Sequence, residues 1–163
     1  MKHLLPITLR INGETHDVLV PPWRMLLEVL RETLGLTGTK RSCQEGQCGT
    51  CTVLLDGKPV NSCLYLAVEA QGKDILTIEG LSKADAPLHQ IQKSFVQKGG
   101  IQCGFCTPGL VLATKALLAD NPDPSEDEIR DAIVGHLCRC TGYFQIVEAI
   151  QDAAREMARQ GGG

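Results

Sequence analysis

The chain has 163 residues, 43% of them hydrophobic, with a net charge of −3 and only 4% aromatic residues. That length allows one or two small domains. The acidic balance excludes the basic surface that a nucleic-acid-binding protein presents, and so few rings leave little for stacking on bases.

The chain opens MKHLLPITLRINGE. Pro6, Arg10 and Asn12 interrupt the apolar stretch that an export signal needs, so no secretory signal is expected. No run of about 18 apolar residues follows, so no transmembrane helix is expected either. A cytoplasmic chain with eight cysteines uses them as metal ligands rather than as disulfides.

Residues Ile7–Ile11 and Asp17–Val20 read as two strands joined through Asn12-Gly13, a hairpin signal. Leu26, Leu27, Leu30 and Leu34 recur at helical spacing, which predicts a short helix from Met25 to Leu34, stopped by Gly35 and Gly38. A glycine-rich loop, SCQEGQCGTC, comes next. Thr52–Leu55 reads as a strand, Asp56-Gly57 as a turn, Val60 as the start of the return, and Ile75–Ile78 as a last strand. Together these predict a small mixed sheet packed on one helix.

Past Gly80 the pattern becomes helical. Leu88, Ile91 and Phe95 space a helix that ends near Gly99-Gly100. Thr107-Pro108 reads as an N-cap followed by proline at the first helical position, opening a helix that stops before Asn121-Pro122. Ser125 with Glu128 fits a capping box for a third helix. A fourth carries Ile146, Val147, Ile150 and Met157. The fold class expected is therefore α+β: a sheet domain over residues 1–80 and a four-helix domain over residues 81–163, with the boundary between 79 and 86. The three terminal glycines, Gly161 to Gly163, read as a loose end.

The cysteines fall into two groups of four with none left over. Cys43, Cys48, Cys51 and Cys63 have the spacing C-x4-C-x2-C-x11-C, whose first two gaps are those of plant-type ferredoxins carrying a 2Fe–2S cluster. Gly46 and Gly49 lie between ligands, where a positive φ lets the backbone coil around a cluster and aim its N–H groups at the sulfurs. The alternative is structural zinc, which favours paired C-x2-C knuckles; this group has one. Cys103, Cys106, Cys138 and Cys140 have the spacing C-x2-C-x31-C-x-C. Spacing alone leaves this second group open between an iron–sulfur cluster, zinc, a C-x-x-C redox pair and buried free thiols.

Three stretches carry a family resemblance: LRETLGLTGTKRSCQEGQCGTCTVLLDGKPVNSC, GGIQCGFCTPGLVL and NPDPSEDEIRDAIVGHLCRCTGYFQIVEAI. The chain resembles, over about residues 5–158, the iron–sulfur subunit of the molybdenum hydroxylases, the family of xanthine dehydrogenase, aldehyde oxidoreductase and carbon monoxide dehydrogenase. The resemblance implies a plant-ferredoxin-like β-grasp domain followed by a four-helix bundle, each with a 2Fe–2S cluster. It implies that electrons pass from a molybdenum–pterin cofactor in a large subunit, through the helical-domain cluster and the ferredoxin-like cluster, to FAD in a medium subunit. A dimer of heterotrimers is the arrangement it implies. Gln102, from the QCGFC motif, and Cys140, from LCRC, are then the residues beside the pterin. The chain departs from the pattern at Ser42, where many relatives have glycine before the first cysteine.

No catalytic nucleophile or general base stands out, so the reading is of an electron-transfer subunit whose activity belongs to a complex. Its rivals are a zinc-binding interaction module and a stand-alone ferredoxin. His136 reads as a capping or surface histidine, since four cysteines already complete its group. Tyr143, Phe144 and Trp23 read as packing residues, and Arg139 as either a solvated charge or a partner contact.

Overall fold

The computed structural model describes residues 4–82 and 85–161. Part of the expected domain boundary, residues 83 and 84, lies outside the described residues, as do His3 and the last two glycines.

Strands β1 (Leu5–Ile11) and β2 (Glu14–Val20) form the first hairpin, with Ile11 opposite Glu14. Asn12 and Gly13 both take positive φ, 54° and 84°. That is the primed turn whose twist matches an antiparallel pair. β3 (Thr52–Leu55) and β4 (Lys58–Asn61) form the second hairpin, turning through Asp56 and Gly57 at φ 49° and 80°. β5 (Asp74–Leu76) completes a five-stranded sheet in the order β2-β1-β5-β3-β4. It runs parallel to β1 and antiparallel to β3. β5 stops two residues earlier than expected because Ile78–Gly80 winds into a 3₁₀ turn.

The helix under the sheet, α1 (Leu26–Glu28), continues as a π-helical turn over Val29–Thr33. The wider turn is closed by the Leu34 amide donating to the Val29 carbonyl at 3.0 Å, and Gly35 ends it at φ 72°. Leu26, Val29 and Leu30 join Ile7, Leu9, Ile11, Val53 and Ile75 in one core. The first-turn amides of α1 are satisfied from outside the helix: Leu26 donates to Tyr65 O at 2.7 Å and Leu27 to Ser62 O at 3.0 Å. Capping the helix in this way binds it to the segment that carries Cys63.

Four helices follow: α2 (Gln90–Gln97), α3 (Thr107–Asp120), α4 (Glu126–Ile133) and α5 (Phe144–Gly161). α4 begins with the expected capping box, Glu128 N donating to Ser125 Oγ and Ser125 N to Glu128 Oε2. α3 begins one residue earlier than expected: Cys106 is the N-cap, Thr107 the first helical residue and Pro108 the second. α5 runs through Gly161 rather than stopping before it.

α3 differs from its neighbours in being apolar all round, with Leu110, Val111, Leu112, Ala113, Ala116 and Leu118 buried. A helix buried on every face needs partners on every face. One side packs in the helical core with Phe95, Ile129, Ile146 and Ile150. Leu112 and Ala116 pack against Leu54 and Leu76 of the sheet. α3 is thus the shared element that docks the helical unit onto the sheet.

Candidate metal centres

Cys43, Cys48 and Cys51 of the first cysteine group lie on the loop between the π-helical turn and β3. Gln44, Gly46 and Gly49 take φ of 60°, 76° and 65°. Three left-handed residues in six reverse the chain tightly enough to bring Cys43, Cys48 and Cys51 to one side. Ser42 is not among the residues with positive φ, so the departure from glycine there carries no strain; the left-handed position falls at Gln44 instead. The β3–β4 hairpin returns the chain beside Cys51, where Ser62 Oγ donates to Cys51 O at 2.7 Å. Cys63 then packs with Cys51 against Leu27. Asn61 holds the loop from the far side by donating to Gly46 O at 3.0 Å.

The second group meets at one end of the helical unit. Cys106 caps α3, and Cys103 precedes it across Gly104 at φ 81°. Cys138 and Cys140 lie in the loop from α4 to α5. Cys140 Sγ is 3.5 Å from Cys103 Sγ, and both are exposed. Cys106 and Cys138 thiols face each other on the inner side, buried and half-buried. The positive N-terminal end of the 14-residue α3 points into this group, which favours thiolates there.

Charge distinguishes the members of each group. Burial raises the Cys51 thiol to about 12 and the Cys106 thiol likewise to about 12, with the Cys138 sulfur adding to the second. Cys48 also pays for burial, but hydrogen bonds from Thr50 and from the loop's backbone outweigh it and bring the thiol to about 6. Four thiolates on one small centre repel one another, so each site needs bound positive charge to ionise fully.

The residues present fit 2Fe–2S clusters. In each group the thiols approach in twos: Cys43 with Cys48, Cys51 with Cys63, Cys103 with Cys140, and Cys106 with Cys138. Two cysteines per iron is the ligation of such a cluster. An amide also faces a sulfur, Glu45 N donating to Cys43 Sγ at 3.4 Å.

The two groups touch through backbone. Leu137 N donates to Cys48 O at 3.0 Å, and these residues are a cluster-ligand candidate and the neighbour of another, Cys138. Gln102 lies exposed beside the exposed Cys103. In the helical unit Phe105, Leu137, Phe144 and Val134 are exposed, the last at 81%.

Four readings of single residues change. His136 is buried, 8% exposed, rather than at the surface. Its Nε2 lies 3.1 Å from Thr52 Oγ1, and burial lowers its pKa. Tyr143 is not simply packing. At φ 70°, its hydroxyl accepts from Cys138 N at 2.8 Å and donates to His136 O at 3.1 Å. Thr141 Oγ1 accepts from Tyr143 N and sits 3.2 Å from Cys138 Sγ. Trp23, taken as a packing residue, is 62% exposed, and Phe144 is exposed too. No sequence signal separates Thr141 and Tyr143 from ordinary helix-start residues except their place just after LCRC. Arg139 is exposed.

The apolar groove between α2 and α3, about 260 Å³, is lined by Ile78, Leu88, Val96, Ile101, Pro108 and Val111, with Gln92 and Thr107 as its polar side chains.

Residues 9–77 match the family described as the 2Fe-2S iron-sulfur cluster binding domain, and residues 77–151 match the 2Fe-2S binding domain. The chain is 45% identical over 154 residues to the nicotinate dehydrogenase small FeS subunit of Eubacterium barkeri, covering 94% of this chain and 98% of that protein. It superposes on a chain of quinoline 2-oxidoreductase from Pseudomonas putida 86 with a TM-score of 0.91 at 49% identity, covering 97% and 98% of the two chains. It also superposes on the aldehyde oxidoreductase of Desulfovibrio gigas with a TM-score of 0.90 at 42% identity, covering 96% of this chain but 17% of that longer one.

Proposed function

Because the chain belongs to the iron–sulfur-subunit family of the molybdenum hydroxylases, we propose that it links a molybdenum–pterin centre in a large subunit to FAD in a medium subunit. It is the electron-transfer subunit of an oxidoreductase complex, and the catalytic groups belong to its partners. Each bound 2Fe–2S cluster takes up and returns one electron at a time.

The chain's own residues set the conditions for that traffic. Cys43, Cys48, Cys51 and Cys63 hold one cluster, and Cys103, Cys106, Cys138 and Cys140 hold the other. Leu27 and the core beneath it keep water from the inner sulfurs of the first. The exposed Cys103–Cys140 edge, with Gln102 beside it, is the docking side for the large subunit. Gln102 brings an amide, one donor group and one acceptor, to the mixed edge of a pterin. Cys140 serves as ligand and as the nearest sulfur to that cofactor. The half-buried Cys43 side faces the medium subunit.

The observation that carries this reading is the Leu137 to Cys48 hydrogen bond of 3.0 Å. It joins the two quartets by a few covalent bonds and one hydrogen bond, a short route between redox centres. We place the complex in the cytoplasm, where thiols stay reduced until loaded; among the described residues no helix is long and apolar enough to cross a membrane. The assembly proposed is a dimer of heterotrimers.

Metal analysis and EPR test the reading. The loaded chain should hold about four irons and four labile sulfides, and on reduction should show two distinct paramagnetic signals. Stoichiometric zinc without sulfide would sink it.

A further inference from the structure

We infer that His136 is a positioning residue for electron transfer between the two cluster sites, pinning the helical unit's cysteine loop to the sheet's cysteine loop through Thr52. The inference rests on the two-cluster reading above.

Thr52 Oγ1 donates to Gly49 O at 2.8 Å, so its one proton is committed. At 3.1 Å from His136 Nε2 it therefore accepts, and Nε2 carries the hydrogen. His136 Nε2–H to Thr52 Oγ1 joins residues 84 apart in sequence, and Thr52 Oγ1–H carries the chain on to Gly49 O, between Cys48 and Cys51. One residue further on, the Leu137 amide donates to Cys48 O. Segment 135–137 is thus attached at two adjacent points, one by side chain and one by backbone.

The contact is as close as backbone permits. A Cβ added at Gly49 would lie 2.5 Å from Gly135 O and 2.7 Å from His136 Cδ2. A Cβ added at Gly109, in the first turn of α3, would lie 2.4 Å from Gly49 O. Glycine at both places lets three stretches of backbone meet, and the buried imidazole fills the corner between them. Without the ring, the Leu137 amide would be the remaining hydrogen bond between the two cysteine loops, beside the packing of α3 on the sheet. A single exchangeable bond with a void beside it is a poorer constraint than two bonds and a packed ring.

The experiment uses the full chain loaded with iron and sulfide, in four forms: wild type, His136→Ala, His136→Gln and Thr52→Val. Iron and sulfide are counted, and the two reduced signals are recorded singly and together. The mutual broadening of the signals reports the distance between clusters, and a reductant pulse reports equilibration between them. His136→Ala should keep four irons and both separate signals, while the mutual broadening weakens and equilibration slows. Thr52→Val keeps the shape but loses both the acceptor for His136 and the donor to Gly49 O, and should do the same. His136→Gln restores an N–H donor and should recover much of the wild-type broadening. Unchanged broadening and rate in Thr52→Val would overturn the inference, whether or not His136→Ala loads its clusters. Loss of the Cys138 cluster alone in His136→Ala, with broadening intact in Thr52→Val, would also overturn it, showing a local role. A wild-type chain without two signals would instead defeat the two-cluster reading itself.

Discussion

Tyr143→Phe isolates one hydroxyl. The ring stays, so the packing against the helical core is kept, and the backbone remains at φ 70° with the same strain. What goes is the acceptor for Cys138 N at 2.8 Å and the donor to His136 O at 3.1 Å. Leaving a part-buried amide unpaired costs about 1–3 kcal/mol. Because that amide belongs to a proposed cluster ligand, the cost is expected at the helical-domain site and not in the sheet domain. A penalty of that size corresponds to about a 5–150-fold shift in an equilibrium. The assay is cluster retention in rising urea, followed by the two separately resolved EPR signals. The helical-domain signal should bleach at lower urea than in wild type, while the other signal holds its midpoint. Equal loss of both signals, or no change in either, would refute the claim that this hydroxyl supports Cys138.

Two further outcomes follow from the ligand grouping and from the exposed edge. Cys48→Ser should remove the sheet-domain signal and leave the helical one; Cys106→Ser should do the reverse, and a mutant that lost half of each would show ligands shared between groups. Gln102→Ala should leave both clusters assembled, since glutamine is no ligand, yet weaken retention of the molybdenum cofactor in the assembled complex by roughly one to two decades, the equivalent of about 1–3 kcal/mol for lost buried hydrogen bonds. If cofactor content and substrate-driven reduction stayed normal while the cluster spectra changed, Gln102 would belong to the cysteine loop alone.

Much of the architecture was legible in the sequence because it is enforced over a few residues. Asn12-Gly13 and Asp56-Gly57 adopt positive φ wherever they join two strands, so both hairpins could be read directly. Ser125 and Glu128 cap their own helix. Cys43, Cys48 and Cys51 sit in one short loop, and Gly46 and Gly49 between them have the left-handed φ that such a loop needs. The second quartet was different: its spacing left several chemistries open, and the resemblance carried by QCGFC and LCRC was what narrowed them to an iron–sulfur cluster. The tertiary structure alone brings Cys140 to 3.5 Å from Cys103 across 37 residues. It alone buries His136 on Thr52 and turns Tyr143 back onto Cys138. The reason is physical: a turn or a cap is decided by backbone sterics and neighbouring side chains, which the sequence displays. A buried imidazole or a clamping hydroxyl is decided by which distant backbone arrives beside it, and that depends on how α3, apolar on every face, is sandwiched between the sheet and the other helices.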